Sequence, residues 1–451
     1  MNEFNSGKPI ITMTRTANLL LSFSFLLISV AVMAQPTGPM SDEALLDRVQ
    51  RQAFNYFWEG GEPVSGAAPE RIHEDGIYPQ NDADVVTSGG TGFGIMATIA
   101  AIDRGFITRE QGRKRLLHLA KWLQKADRFH GAWPHWMYPS GKVKPFSRYD
   151  DGGDLVETAY LVQGLIVARQ YFQDGNPEER QLAALMDQLW KEVDWSWYTR
   201  GENVLYWHWS PQYEWRMNFA VTGYNECTIL YILAASSPTR PAGPACFHEG
   251  YMRSGDIVSH ESAYGYDVIL DYNGKGAIPV GPLFWSHYSF LGLDPRGLHD
   301  SYADYWLLNR NLALIHHAYC AENPRAYAGY SEKCWGLTAS YSLIGYDAHN
   351  PSNDLGVISP TAALTSFPYT PDESMMFLRH IYEDHAAYIG TYGPYDAFSV
   401  ESNWCLPHYL AIDQLPIPVM IENYRSGLIW NLFMSAPEIQ EGLHKLDIKR
   451  K

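Results

Sequence analysis

Apolar residues recur at helical spacing along most of this chain. The segment that begins at Ser41 is typical, because a serine and Glu43 precede apolar residues three and four positions apart, which predicts a capped amphipathic helix. A second capped helix is predicted over 107–127, where Thr108 precedes the apolar positions. The same spacing predicts further helices near 91–104, 153–173, 177–191, 219–236, 301–323, 358–366, 371–387 and 418–434.

Strand-like alternation is scarce and is confined to 203–209 and 267–270. No linker rich in proline, glycine or serine divides the chain after residue 34. We therefore predict an all-α fold with one catalytic domain over 35–451, in which paired helices close into an (α/α)6 toroid. In such a toroid the cleft is lined by loops and helix ends.

The N-terminus has the pattern of an export signal. Lys8 and Arg15 precede an apolar run over 19–32, and small residues before Gln35 predict cleavage at that point, although Met13 is an alternative start. No later stretch of about 18 apolar residues follows. We therefore expect a signal peptide over 1–34 and a mature protein in the periplasm or outside the cell, without membrane contact.

Composition narrows the choice of ligand. The chain has 451 residues and a formal charge of −16, which argues against nucleic acid or an anionic membrane as partner. Aromatic residues make up 14% of the chain, with 15 Trp and 30 Tyr. Flat rings stack on the apolar faces of sugars, but a large core also uses aromatics. A neutral, sugar-like substrate fits the composition best, and we expect a monomer.

The stretch YDDGGDLVETAYLVQGL carries the first candidate chemistry. Asp150, Asp154 and Glu157 are spaced to share one face of a helix, and such a cluster facing a pocket has divergent pKa values, as acid/base catalysis requires. The alternative is a set of helix N-terminal acids favoured by the macrodipole. Gly152 and Gly153 cost helix stability, so they indicate close backbone approach to a neighbour, either protein or ligand.

Three further acids are candidates. Glu226 heads an otherwise apolar helix, where burial would hold its proton to higher pH, or where it simply caps the helix. Asp396 lies in a loop rich in glycine, proline and tyrosine and is alternatively an Asx-turn residue. Asp413 precedes the last long helix, and the alternative for the polar residues of that helix, Arg425 among them, is a structural network.

Motifs for other chemistries are missing from the sequence. The histidines show no metal-ligand spacing, and there is no nucleophile elbow, P-loop or dinucleotide fingerprint. The glycine-rich SGGTGFG at 88–94 lacks the Walker lysine and is interpreted as a loop that enters a helix. We expect no metal and no cofactor.

Several ordered motifs resemble a known family. The opening carboxylate stretch, YSEKCWGLTAS at 330–340, GVISPTAAL at 356–364, YGPYDAFS at 392–399 and VMIENYRSGLIWNLF at 419–433 resemble the bacterial glucoamylase-like family, in particular glycoside hydrolase family 144, the β-1,2-glucanases. The resemblance covers about residues 41–435. It implies an exported (α/α)6 enzyme that hydrolyses β-1,2-glucan, with inversion and without a cofactor.

The resemblance also implies which residues act. Its functional acids match Asp150, Asp154, Glu157 and Glu226, together with either Asp396 or Asp413. The segment HYSFLGLDPRG at 287–297 departs from the usual family version, which leaves endo or exo action open. For substrate binding we expect Trp133, Trp136, Arg148, Tyr149, Trp207, Trp209, Trp285, His287, Trp335, Tyr395 and Arg425.

For the mechanism we hypothesise that Glu226 is the general acid, with Glu157 as the second choice. An ionised aspartate, Asp150 or Asp154 first, would activate water, and inversion requires key carboxyls roughly 6.5–9.5 Å apart. The expected products are sophorose and short sophorooligosaccharides; an exo-acting sophorohydrolase, a transglycosylase, a lyase and a glycan-binding protein are the alternatives.

Overall fold

A computed structural model describes residues 40–271 and 278–451. The predicted signal segment 1–34 lies outside the described residues. Contacts group Ser41–Lys451 into one unit. Among the described residues, no helix is long and apolar enough to cross a membrane.

The fold is helix-rich. Over the two described ranges the α-helices are α1 (Asp42–Trp58), α2 (Ser88–Asp103), α3 (Arg109–Leu123), α4 (Leu155–Phe172), α5 (Pro177–Lys191), α6 (Thr228–Ser236), α7 (Tyr305–Glu322), α8 (Pro360–Leu364), α9 (Pro371–Glu383), α10 (Ala411–Gln414), α11 (Pro416–Arg425), α12 (Leu428–Met434) and α13 (Pro437–Lys445).

The segments between the helices contain short strands. They are β1 (Arg71–His73), β2 (Val86–Thr87), β3 (Trp136–Met137), β4 (Val143–Lys144), β5 (Gly153–Asp154), β6 (His208–Trp209), β7 (Ser262–Ala263), β8 (Tyr266–Asp267), β9 (Leu298–His299), β10 (Ala339–Ser342), β11 (Gly345–Ala348), β12 (Ile389–Gly390), β13 (Gly393–Pro394), β14 (Phe398–Ser399), β15 (Trp404–Cys405), β16 (His408–Leu410) and β17 (Lys449–Arg450). All pairings are antiparallel: β2, β3 and β4 form a three-stranded sheet, and the pairs are β1 with β16, β5 with β6, β7 with β8, β9 with β17, β10 with β11, β12 with β13 and β14 with β15.

Both predicted helix caps are confirmed. The Ser41 side chain accepts a hydrogen bond from Ala44 N at 3.3 Å at the start of α1. At the start of α3, Thr108 Oγ1 accepts from Gln111 N at 3.2 Å, and the Gln111 side chain accepts from Thr108 N at 2.8 Å. This reciprocal capping box satisfies two backbone donors that a helix start otherwise leaves unpaired.

Buried and amphipathic helices alternate along the first half of the chain. Helices α1, α3 and α5 bury one face and expose the other, whereas α2, α4 and α6 are buried on nearly every side. A helix that is apolar all round belongs in the interior, and an amphipathic one covers it. The first half is therefore built from inner and outer helices.

Glycines let two inner helices approach closely. A Cβ on Gly92 of α2 or on Gly164 of α4 would lie under 3.0 Å from the backbone of the other helix. The SGGTGFG segment, which we interpreted as a loop entering a helix, forms the first two turns of α2. Its Gly92 serves helix packing, because only glycine permits this approach.

Some predicted boundaries are wrong. The helix predicted over 219–236 begins only at Thr228, after a positive φ of 76° at Gly223, and the one over 418–434 is split by Gly427 at φ 71°. Of the strand predicted over 203–209 only β6 forms, and that over 267–270 shifts to β8. The all-α expectation also omits the short strands, which carry several residues of the site described next.

Candidate active site

A cleft of about 530 Å³ opens where the N-terminal ends of inner helices meet the loops. This volume lies within the range of ligand-binding pockets. Its lining includes Glu70, Arg71, Gln80, His135, Trp136, Glu157, Tyr160, Trp207, Glu226, Phe284, Tyr288, Tyr341 and Tyr346. The wall therefore combines aromatic rings with a few charged side chains, as a sugar site requires.

Asp154 is the N-cap of α4. Its Oδ1 accepts hydrogen bonds from Val156 N at 3.0 Å and Glu157 N at 2.9 Å. Its Oδ2 accepts from His135 Nδ1 and from Trp207 Nε1, each at 3.0 Å. Since both oxygens are bonded and the residue has no exposed surface, Asp154 positions His135 and Trp207 and does not itself reach a water in the cleft.

The stripe of acids predicted on one helix face is wrong in geometry, because α4 begins after Asp154 and Asp150 lies before it. Two histidines nevertheless bring the acids together. His208 Nε2 lies 3.1 Å from Asp150 Oδ2 and 3.4 Å from Asp154 Oδ2, and His135 Nδ1 lies 3.7 Å from Asp150 Oδ2. The acids converge through a buried ion-pair cluster and not through helical periodicity.

Electrostatics keep this cluster charged. Burial lowers the pKa of His135, but the charges of Glu157 and Asp154 outweigh it and raise the pKa to about 10. Burial also lowers the pKa of His208, but the interactions of its ring with Asp150 and Asp154 outweigh burial and raise the pKa to about 9. Burial raises the pKa of Asp154, yet hydrogen bonds from both histidines bring it well below its usual range. At neutral pH the cluster holds two imidazolium cations between carboxylates.

Gly152 and Gly153 approach protein, where the sequence left a ligand possible. A Cβ at Gly152 would meet Trp209 O, and one at Gly153 would meet the Tyr198 hydroxyl, both under 3.0 Å. The two glycines therefore allow the turn before β5 to pack against β6, which carries His208.

Glu157 is the acid of the opening stretch that lines the cleft. Its Oε2 accepts hydrogen bonds from Gly89 N at 2.8 Å and Thr87 Oγ1 at 3.3 Å, and its Oε1 lies 4.0 Å from His135 Nε2. Burial raises the pKa of Glu157 to about 6, although the charge of His135 works in the opposite direction. The carboxyl is therefore held in place and titrates near neutrality.

Glu226 also lines the cleft, two residues before α6. Burial, with a smaller contribution from the charge of Glu157, raises the pKa of Glu226 to about 7. Its backbone carbonyl accepts from Ser289 Oγ and from the Tyr160 hydroxyl, which fixes this turn. A carboxyl that keeps its proton near neutral pH and faces a cavity has the property of a general acid.

A second cavity of about 520 Å³, the side cavity, adjoins the cleft and shares Trp207, Glu226 and Phe284 with it. Glu226 thus stands at a junction, with space for sugar units on both sides. Trp285 lines the side cavity, while Trp136 and Trp207 line the cleft. For these three tryptophans the predicted sugar contact is sterically open.

Asp396 and Asp413 form a buried pair behind the cleft wall. The Tyr341 backbone N donates to Asp396 Oδ2 at 2.8 Å, and the Tyr288 hydroxyl donates to Asp413 Oδ1 at 3.1 Å. Burial raises the pKa of Asp396 to about 7, and burial with the charge of Asp396 raises the pKa of Asp413 well above its usual range. The two predicted acids therefore hold Tyr341 and Tyr288 of the cleft wall and do not line the cleft themselves.

Sequence reasoning missed Glu70 and Arg71 on the cleft wall. Arg71 pairs with Glu70, donates to the Tyr341 hydroxyl and lies 3.2 Å from Asp82 Oδ2. Its guanidinium also lies 5.9 Å from the centre of the Trp136 ring. The only sequence hint was a Glu-Arg pair after a proline, and β1 is too short to give a periodic pattern.

Three predicted sugar contacts belong to the core. Trp133 and Trp335 have no exposed surface, and their indole N–H groups donate to the carbonyls of Leu123 and Glu373. His287 is also buried and bonds to Ser366. An aromatic side chain without an exposed face cannot stack on a sugar, so these assignments are corrected.

Other predicted contacts lie outside the cleft lining. Trp209 packs against Trp197, with ring centres 6.3 Å apart, and the guanidinium of Arg148 stacks over Tyr149 at 5.4 Å. The Tyr395 hydroxyl donates to Glu74 at 2.5 Å. The substrate-binding roles of Trp209, Arg148, Tyr149 and Tyr395 stay predictions that the cleft geometry does not support.

Arg425 is engaged elsewhere. It donates to Asp47 Oδ1 at 2.6 Å, Gln50 Oε1 at 3.0 Å and Glu43 Oε2 at 2.7 Å, which ties α11 to α1. We therefore expect Arg425→Ala to lower the free energy of unfolding by about 1–2 kcal/mol, because its two acidic partners are largely exposed although Gln50 is buried. Denaturant unfolding and kcat/KM measure the two effects. Lost activity with unchanged stability would contradict this structural role.

Two groups of described residues bring three possible metal ligands within 4.8 Å of one another: His135, Asp150 and Asp154, and His73, Asp75 and His408. In the first group the raised pKa of His135 favours imidazolium, which has no free lone pair for a metal. The arrangement is accounted for by its own ion pairs. The expectation of no metal stays a prediction.

Comparison with known proteins gives the following relatives. Residues 218–437 match the family model described as putative glucoamylase. The chain is 45% identical over 429 residues to an exo β-1,2-glucooligosaccharide sophorohydrolase (non-reducing end) of Parabacteroides distasonis. That match covers 91% of this chain, and the chain spans 58% of the length of this relative.

Solved structures extend the comparison. An endo-β-1,2-glucanase from Chitinophaga pinensis, in complex with sophorotriose and glucose, is 58% identical with a TM-score of 0.89, covering 91% of this chain and 99% of that one. An endo-β-1,2-glucanase from Talaromyces funiculosus has a TM-score of 0.60 at 12% identity, covering 90% of this chain and 92% of that one, so it shares the fold alone.

Proposed function

Because this chain belongs to the glucoamylase-like family, we propose that it is a β-1,2-glucanase of glycoside hydrolase family 144. The observation that carries the proposal is Glu226, a carboxyl of raised pKa at the junction of two cavities with aromatic walls. A glycosidic oxygen placed there meets a proton donor, while tryptophans on either side offer faces to the sugar rings. The alternation of inner and outer helices supports an (α/α)6 toroid.

The reaction needs an acid and a base. Glu226 donates its proton to the leaving glycosidic oxygen. Glu157, held by Gly89 N and Thr87 and lining the same cleft, takes a proton from the attacking water. Inversion requires these two carboxyls to flank the bond with room for that water. This assigns the base to Glu157 in place of Asp150 or Asp154, because Glu157 lines the cleft, whereas Asp154 has both oxygens bonded and Asp150 is not part of the cleft lining.

Space on both sides of Glu226 supports endo action. The cleft and the side cavity meet at this residue, so a chain can continue past the cleavage point in each direction. The relative from P. distasonis named as an exo sophorohydrolase makes exo action the alternative. A spread of short oligomers indicates endo action, whereas one disaccharide from the start indicates exo action. We further propose export to the periplasm or beyond.

A substrate panel tests the proposal. Residues 35–451 are incubated with linear β-1,2-glucan and, in parallel, with β-1,3- and α-1,4-glucans, and the products are separated over time. We expect only β-1,2-glucan to be cut. Cleavage of another glucan alone, or of none, would overturn the assignment.

The pKa values predict a bell-shaped pH profile. The base is active only when Glu157 is ionised, above about 6, and the acid only when Glu226 is protonated, below about 7. We therefore expect kcat/KM to rise through about pH 6, peak between the two values and fall tenfold per unit above about pH 7. Initial rates across pH measure this. A profile that stays flat to pH 9 would remove Glu226 as the acid.

A further inference from the structure

A third cavity adjoins the cleft at Arg71 and shares no lining residue with the side cavity. This distal cavity has a volume of about 290 Å³ and shares Arg71, Gln80 and Tyr341 with the cleft. Its remaining wall comes from β1, β16, the β10–β11 turn and Trp404 of β15. The three shared side chains line both spaces. A glucan chain that extends from the cleft past these residues therefore enters the distal cavity.

Three residues of the cavity wall, Asp82, His73 and His408, have buried polar atoms without partners. Asp82 is 3% exposed, and neither of its carboxylate oxygens accepts a hydrogen bond, although Arg71 Nε lies 3.2 Å from Oδ2. His73 Nε2 and His408 Nδ1 are also buried without partners. Native proteins seldom leave buried acceptors and imidazole nitrogens unpaired, because such groups are destabilising. The wall of the distal cavity therefore contains polar residues whose hydrogen-bonding capacity the protein does not fully use.

The opposite wall is apolar. Trp404 is half-buried at the rim, and Leu343 lines the cavity from the tip of the β10–β11 hairpin. The two-residue turn of this hairpin is Leu343-Ile344, with exposures of 51% and 85%. Two-residue hairpin turns favour asparagine and glycine, so two exposed aliphatic residues are unusual at this position. Such departures from the local sequence preference are typical of functional sites.

The charges around the cavity select a neutral ligand over an anion. Arg71 is neutralised by Glu70 and by Asp82, so among the described residues that line this cavity no unpaired Lys or Arg is left to bind a phosphate or a uronate. A pyranose ring presents hydroxyls at its edge and an apolar face, which match the polar and apolar walls. We propose that the distal cavity is a binding subsite for one further glucosyl unit of the chain held in the cleft, and that it sets chain-length preference.

This inference rests on the proposed β-1,2-glucanase activity. It predicts that kcat/KM increases with oligosaccharide length until the distal cavity is filled. Trp404→Ala removes the aromatic face, so we expect the longest substrates to lose roughly tenfold in kcat/KM while the shortest cleaved substrate is unaffected. Trp404→Phe should restore most of the loss.

The experiment measures kcat/KM for purified linear β-1,2-glucooligosaccharides of increasing length. Leu343→Ser provides a second variant at an exposed turn, where folding is not at risk, and should lower the values for long substrates alone. Trp197→Ala is the matched control. Trp197 is also a partly exposed tryptophan, but it does not line the cleft, the side cavity or the distal cavity. We expect this control to follow wild type at every length.

The outcomes separate the two claims. If wild type cuts β-1,2-glucan but Trp404→Ala and Leu343→Ser leave the length dependence unchanged, or lower all lengths equally, the subsite is wrong and the proposed function stands. If wild type cuts no β-1,2-glucan of any length, the proposed function fails first. A selective loss on long substrates supports the subsite.

Discussion

Replacing Glu226 by glutamine should lower kcat on β-1,2-glucan by about 10²–10⁴-fold, the usual contribution of a general acid. Glutamine keeps the size and hydrogen-bonding capacity of the side chain but has no carboxyl proton to donate. Burial raises the pKa of Glu226, and the residue lines both the cleft and the side cavity. The substitution therefore removes the proton needed for bond breaking and leaves the substrate-binding walls intact. The KM should change little.

The matched control is Glu332→Gln, because Glu332 is exposed in a loop that is not part of the cleft. Circular dichroism and thermal unfolding should be unchanged in both variants. If Glu226→Gln retains near-wild-type turnover, Glu226 is not the acid, and Glu157 becomes the next candidate.

Replacing Asp154 by asparagine should lower kcat/KM by roughly 100-fold without any direct loss of a substrate contact. Asparagine is as good an N-cap as aspartate, so the start of α4 is retained. What is lost is the negative charge between His135 and His208, each of which depends on Asp154 for part of its raised pKa. The pKa of both histidines should fall toward the ordinary value.

This variant has a readout that a purely structural role would not change. In wild type the two imidazoles titrate near pH 9–10, outside the activity range, whereas in Asp154→Asn their titration should move toward neutrality and appear in the pH profile. The folded state raises both histidine pKa values, so their contribution to stability is present below about pH 6.5 and lost as pH rises through 9–10. In Asp154→Asn this loss should occur at lower pH.

Asp304→Asn is the control for capping. Asp304 is the N-cap of α7 and accepts from Trp306 N and Leu307 N, each at 3.1 Å, without a histidine partner. We expect normal activity and an unshifted pH profile in this variant. If Asp154→Asn behaved the same way, the ion-pair cluster would have no part in positioning the active site.

Helical periodicity and capping chemistry made most outer helices predictable. Ser41 and Thr108 satisfy donors within three residues of themselves, so local sequence suffices to place α1 and α3. The strands were not predictable, because most contain two residues and pair with segments far away. The pairing of His73 with His408 is an example, since no local pattern joins positions so distant in sequence.

The site was predictable in residue type and less so in geometry. Glu157 and Glu226 line the cleft as candidate acids should, but Asp154 is a cap that holds His135 and Trp207. The sequence could not show which aromatic residues line the cleft and which belong to the hydrophobic core. Trp133 and Trp207, for example, belong to similar tryptophan-rich loops and differ only in burial. Glu70 and Arg71 were missed because their partners, Tyr341 and Asp82, are brought near only by the tertiary fold.

The most direct measurement is proton NMR of linear β-1,2-glucan during the first minutes of reaction with the wild-type protein. Glu226 as acid and Glu157 as base, acting on water, predict that the glucan signals decay and that the first new reducing ends are α-anomers, before mutarotation mixes them. First products with the β configuration would mean a covalent, retaining mechanism and would contradict the roles assigned to these acids. Unchanged glucan signals would contradict the activity itself.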